Sequence, residues 1–131
     1  MLFTRLVGLT AFVSVQNPIR LDNYSEPQPD LALLKPRNDY YAQAKPTPAD
    51  VFLIVEVADS SVQFDRNVKV PLYARALISL VWLIDLSAGV IEVYSQPANG
   101  VYQSMQTARR GDHLTIDSLP GLTIIVDDIL S

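Results

Sequence analysis

The chain has 131 residues, nearly half of them apolar, which suits one domain with a real core and excludes general disorder. With no cysteine it forms no disulfide, thiolate zinc site or cysteine nucleophile, and a single histidine, His113, rules out a multi-histidine metal centre. A net charge of -4 argues against broad phosphate binding, but the four acids from Asp112 onward account for the excess, and the other ten acids match the ten bases.

Arg5 and the apolar run LVGLTAFVSV have the look of a signal-peptide core, yet no small-x-small cleavage site follows. No secretory signal is assigned, and a cytoplasmic location is expected. Residues 11–21 (AFVSVQNPIRL) alternate and contain β-branched side chains, which predicts a strand, and the turn-rich DNYSEPQP ends it. LALL (31–34) is a short strand entered from Pro29-Asp30. Residues 35–50, with Pro36, Pro46 and Pro48, read as a long connection. VFLIVEVA (51–58) is apolar on both faces and should be a central, buried strand.

Ser60 to Gln63 offers a capping box for a helix over residues 64–78. Pro71 must either kink that helix or mark where its regular part begins. Residues 80–86, 90–95 and 101–107, separated by Gly- or Asn-containing turns, predict an antiparallel meander, and LTIDSLPGL and TIIVDDIL close the chain. The apolar run 76–84 is too short to span a bilayer. The expected fold is a single α/β (α+β) domain over residues 1–131, a mixed sheet with few helices.

Two acids stand out. Asp30 lies at the mouth of one strand and Glu56 near the end of another, so antiparallel pairing of the two would bring the carboxylates together at one sheet edge. A carboxylate in a buried strand is costly unless paired or holding a metal. Two together invite a divalent cation, and hard oxygen ligands favour Mg²⁺ or Mn²⁺. On the following helix Asp65, Lys69 and Tyr73 recur at helical spacing, and Lys69 can return over Glu56 to orient or deprotonate a water, or to neutralise a phosphate. Plainer readings stand beside these: Asp30 as a turn residue, Glu56 in a simple ion pair with Lys69 or Arg66, and Tyr73 and Trp82 as core. Likewise, Arg109-Arg110 reads as a solvated turn and His113 as a surface loop or strand-end residue.

The segments SEPQPDLALL, VFLIVEVADSS and FDRNVKVPLYARALISLVWLIDL together resemble the Uma-two family, a bacterial group abundant in cyanobacteria. The resemblance spans residues 11–131. It implies a branch of the PD-(D/E)XK restriction-endonuclease-like superfamily and a metal-dependent endonuclease that hydrolyses DNA phosphodiester bonds. Asp30 is then the acid of the PD element and Glu56 that of the (D/E)XK element. Ala58 takes the usual Lys place, and Lys69 supplies the cation from the next helix. Asp30, Glu56 and the Val57 carbonyl would hold Mg²⁺ or Mn²⁺. Arg66, Lys35, Arg37 and Tyr73 are weaker substrate-binding candidates, with nothing that implies base reading.

Family members carry several dozen further N-terminal residues, so the chain reads as shortened, with MLFTRLVGL as the tail of a helix. Where the family has a stretch like ARAGIPEYW, this chain has ARALISLVW, with Leu77 and Leu80 replacing a glycine and an acid. The alternative reading is a catalytically degenerate member that self-associates or binds a partner. A homodimer is expected under either, and RNA or a small phosphate ester is a third substrate class.

Overall fold

The computed structural model describes Gly8 and residues 10–130. Six strands, β1 (Phe12–Val15), β2 (Leu31–Leu34), β3 (Val51–Ala58), β4 (Leu80–Asp85), β5 (Val90–Ala98) and β6 (Val101–Ala108), form one sheet in chain order. All neighbours pair antiparallel except β3 and β4, which run parallel. Parallel neighbours need a crossover. A continuous helical segment supplies it: α1 (Val62–Phe64), a π-helical turn (Asp65–Lys69) and α2 (Val70–Arg75). A second, two-stranded sheet pairs β7 (His113–Thr115) with β8 (Thr123–Ile125), followed by α3 (Val126–Leu130). This is the expected mixed sheet with few helices.

The core lies on both faces of the large sheet. On one face Leu53, Val55, Trp82 and Ile84 pack against Ile116 and Ile124 from the β7–β8 region. On the other, Ile54, Val81 and Leu83 pack against Val70 and Tyr73 of α2. β3 contributes to both, as a nearly all-apolar strand must, and its place third of six confirms the central position read from its sequence. The meander β4-β5-β6 also forms as expected.

Three expectations need correction. The first strand covers only Phe12–Val15, because Gln16 takes a positive φ of 53° and Pro18 has no N–H to donate to a ladder. The Ser60 capping box does not form; Ser61 is the N-cap, and its hydroxyl donates instead to Asp65 Oδ2 at 3.2 Å. The helical segment ends at Arg75 rather than 78. The reading of MLFTRLVGL as a helix tail falls largely outside the described residues.

The Pro71 question resolves in favour of a boundary. The regular helix begins at Val70, and the turn before it widens to π geometry, with the Val70 N–H bonded to the Asp65 carbonyl. Proline has no N–H and its ring crowds the carbonyl four residues back, so a wider turn accommodates it. The helix closes on a Schellman motif in which Leu77 N–H donates to Ala74 O and Ile78 N–H to Tyr73 O. Leu77 holds the left-handed position of that motif, at φ 63°.

Candidate active site

Leu31 sits opposite Val55 in the β2–β3 ladder, so the residue before β2 comes level with Glu56. The backbone and the two acids then lock together. The Asp30 N–H donates to Glu56 Oε1 at 3.2 Å, and the Val57 N–H donates to Asp30 Oδ2 at 2.7 Å. The N–H and C=O of one strand residue point to the same neighbour, so the Val57 carbonyl faces this side too.

Glu56 is only 1% exposed. The Tyr73 hydroxyl donates to its Oε2 at 2.7 Å, and Lys69 Nζ lies 3.6 Å from the same oxygen. Burial raises the Glu56 pKa above its ordinary value, and the donors from Tyr73, Lys69 and Asp30 only partly offset it. Burial also raises the Tyr73 pKa, further helped by the Glu56 charge, so this residue stays a hydroxyl donor.

Lys69 contacts a second carboxylate, Asp65 Oδ1, at 3.4 Å. Burial works to lower its pKa, but the charges of Glu56 and Asp65 outweigh that and raise it. Lys69 is therefore an ammonium over two buried acids, and of the roles read from its sequence position, orienting a water or offsetting phosphate charge fits better than abstracting a proton.

The structure thus brings Asp30, Glu56, Val57, Lys69 and Tyr73 to one place. It does not bring the other candidates there. Lys35 follows the far end of β2, roughly 15 Å along the strand from Asp30. Arg37 is held by a fork to Asp39, at 3.0 and 3.1 Å, and lies over the Tyr41 ring. Arg66 is taken by Glu92, to which its Nε and Nη2 donate, and approaches Asp85 at 3.8 Å.

That last cluster was not singled out in the sequence. Glu56 is level with Leu83, and Leu83 with Glu92, so the two glutamates occupy one row of the sheet, two strands or about 10 Å apart. The helical segment sets one cation over each: Lys69 over Glu56, and Arg66 over Glu92. Tyr94 also donates to Glu92. Burial works to raise the Glu92 pKa, but Arg66 and Tyr94 override it and leave the group lowered. The signal that flags Glu56, a charge inside an apolar strand, is equally present in VIEVYS.

The donor set at Asp30 and Glu56 suits a divalent cation. It consists of hard carboxylate oxygens, one of them buried with its charge under-compensated, and a backbone carbonyl on the same side. Among the described residues no group of three His, Cys, Asp or Glu side chains surrounds a common metal position. An ion there would take few protein side chains and keep waters, as Mg²⁺ commonly does. No helix among the described residues is long and apolar enough to cross a membrane.

A sequence model of the family described as "Uma2: Putative restriction endonuclease" matches residues 2–127. A solved structure from Anabaena variabilis, described as a "putative nuclease belonging to DUF820", superposes with a TM-score of 0.74 at 14% identity, covering 97% of this chain and 73% of that one. At that identity the likeness shows the fold. No curated protein matches the chain.

Proposed function

This chain belongs to the Uma2 family, and from that membership we propose that it is a divalent-metal-dependent endonuclease acting on DNA, with its site at Asp30, Glu56 and Lys69. The observation that carries the reading is the locking of Asp30 to the Glu56 carboxylate through its N–H and to the Val57 N–H through its own carboxylate, beneath a lysine ammonium. A buried carboxylate that burial has made reluctant to ionise is stabilised when a cation arrives.

Asp30, Glu56 and the Val57 carbonyl would hold Mg²⁺ or Mn²⁺. The ion, when bound, polarises the scissile phosphate and lowers the pKa of a coordinated water. Everything else falls to the chain. Tyr73 keeps Glu56 oriented through its hydroxyl. The Val57 N–H fixes one Asp30 oxygen and leaves the other for a ligand. Lys69, held as an ammonium, offsets charge on the phosphate and orients the attacking water. No base-reading element is assigned, so cleavage without sequence preference is expected.

Nicking of supercoiled plasmid in Mn²⁺ tests this. The reading expects nicks that disappear with chelator and in Glu56→Ala and Asp30→Asn. Nicking that survives both substitutions would place the chemistry elsewhere.

A second reading, a non-catalytic module that self-associates, has one observation in its favour. β6 is an edge strand of eight residues, VYQSMQTA, without charge or proline, and it exposes Val101 and Met105. Such an edge lacks the usual protection against pairing with a second copy. Sedimentation of the parent and of Ser104→Lys decides this: a dimer reduced to monomer by the lysine supports pairing through β6, and a monomeric parent removes the idea.

A further inference from the structure

Asp65 is a buried carboxylate that the proposed chemistry does not use. It is 3% exposed, and its two oxygens divide their partners. Ser61 Oγ donates to Oδ2 at 3.2 Å, and Lys69 Nζ lies 3.4 Å from Oδ1. The same ammonium is 3.6 Å from Glu56 Oε2. Lys69 therefore sits between two acids at nearly equal distances, one in the site and one beside it.

We propose that Asp65 is a positioning residue, the seat to which Lys69 withdraws when a divalent cation occupies Glu56. The inference rests on the metal-site reading above and concerns how this chain admits the ion. A divalent cation and an ammonium on one carboxylate repel at contact distance, where little water screens them. Lys69 must then leave Glu56, yet its chemical role requires it to stay close. Asp65 meets both needs. Its carboxyl group is held by Ser61 and already lies within reach of the ammonium, so the lysine need only shift its flexible stem. Without that second acid, Lys69 would bind Glu56 alone and compete with the ion for it. Lys69 is thus a built-in competitor of the metal, and Asp65 weakens the competition.

Calorimetric Mn²⁺ titration of the folded chain, in a double-mutant cycle, tests the idea. Asp65→Asn should weaken Mn²⁺ binding about tenfold, in the range typical of groups that position metal ligands. Lys69→Gln should strengthen it. In the Lys69→Gln background, Asp65→Asn should then change affinity by less than about twofold, because its effect passes through the lysine. Ser61→Ala, which loosens Asp65 without removing its charge, should weaken binding in the parent but not beside Lys69→Gln, and it carries the test where Asp65→Asn does not fold.

Equal weakening by Asp65→Asn in both backgrounds would mean that Asp65 acts as a direct charge on the ion, and overturns the proposal. So does full parental affinity in Asp65→Asn and Ser61→Ala. If the parent gives no Mn²⁺ heat, the metal-site reading itself fails and this inference with it. Heat that is lost in Glu56→Ala keeps that reading and leaves only the role of Asp65 at stake.

Discussion

Glu56 and Glu92 stand in one row of the same sheet, each under one cation and one tyrosine hydroxyl, yet the fold raises the pKa of the first and lowers that of the second. Glu56 is the more deeply buried and has a second acid, Asp30, beside it, and both raise its pKa, whereas at Glu92 the hydrogen bonds from Arg66 and Tyr94 outweigh burial. Arg66 hydrogen-bonds both Glu92 oxygens through Nε and Nη2, whereas Lys69 lies 3.6 Å from one Glu56 oxygen and is shared with Asp65. Glu56 has a raised pKa in the fold, so its contribution to stability is complete below its ordinary value of 4.5 and is lost as pH rises through the folded value. Glu56→Gln should therefore gain stability over the parent as pH climbs above 4.5 while losing Mn²⁺ binding, the trade expected of a functional site. Glu92 is lowered, so its contribution is present above 4.5 and is lost as pH falls through its folded value. Glu92→Gln should cost about 1.5–3 kcal/mol at neutral pH, and the deficit should shrink in acid. Thermal unfolding across pH checks both, and parallel curves for the two variants would refute the contrast. Tyr73→Phe should cost about 1–3 kcal/mol, since it strips a donor from a buried acid. The prominence of Glu56 was legible because a lone charge in VFLIVEVA is conspicuous. Asp65 was seen only as a neighbour on a helix face, since nothing in FDRNVK announces its burial.

The crossover between β3 and β4 shows how local sequence sets the geometry of the site. Pro71 excludes an N–H from the helical ladder, and the widened turn ahead of it, Asp65–Lys69, carries both the ammonium and its second acid. Pro71→Ala should let that turn tighten toward α geometry, weakening nicking while cooperative unfolding persists; unchanged activity would show that the π turn is incidental. At the other end, Leu77 occupies the left-handed position that glycine fills most easily, and its side chain is 64% exposed. Leu77→Gly should gain about 1 kcal/mol, raising the melting temperature by roughly 3–5 °C. A loss would mean that the exposed leucine is covered by something. The strands were readable because their apolar runs are bounded by turn residues, and the antiparallel pairing of β2 with β3, only a condition in the sequence, is what the structure shows. The helix limits were not, because the Schellman closure and the π turn depend on the packing of Val70, Tyr73 and Ile78 against the sheet.

At the scale of the whole molecule, charge governs how the chain meets a polyanion. Arg20 and Lys45 share Glu26, Arg37 is taken by Asp39, Arg66 by Glu92, and Lys69 by Glu56 and Asp65. Five of the nine bases among the described residues are thus already engaged by acids, on a chain of net charge -4. Few counterions are then released from duplex DNA, and the dependence of log affinity on log salt should be no steeper than about -4.5, the limit for the five remaining bases of the whole chain. A much steeper slope would reveal a basic surface that the paired charges do not suggest. The net charge was legible in composition, but its pairing was not, because it joins residues from different strands and loops. The account as a whole depends on Asp30 and Glu56 seating one divalent ion beneath Lys69. The most direct test is a crystal of the chain grown with Mn²⁺ and measured at the manganese absorption edge. The account predicts one anomalous peak within coordination distance of both carboxylates, with Lys69 displaced toward Asp65. A peak bound elsewhere, or none with Lys69 still resting on Glu56, would contradict it.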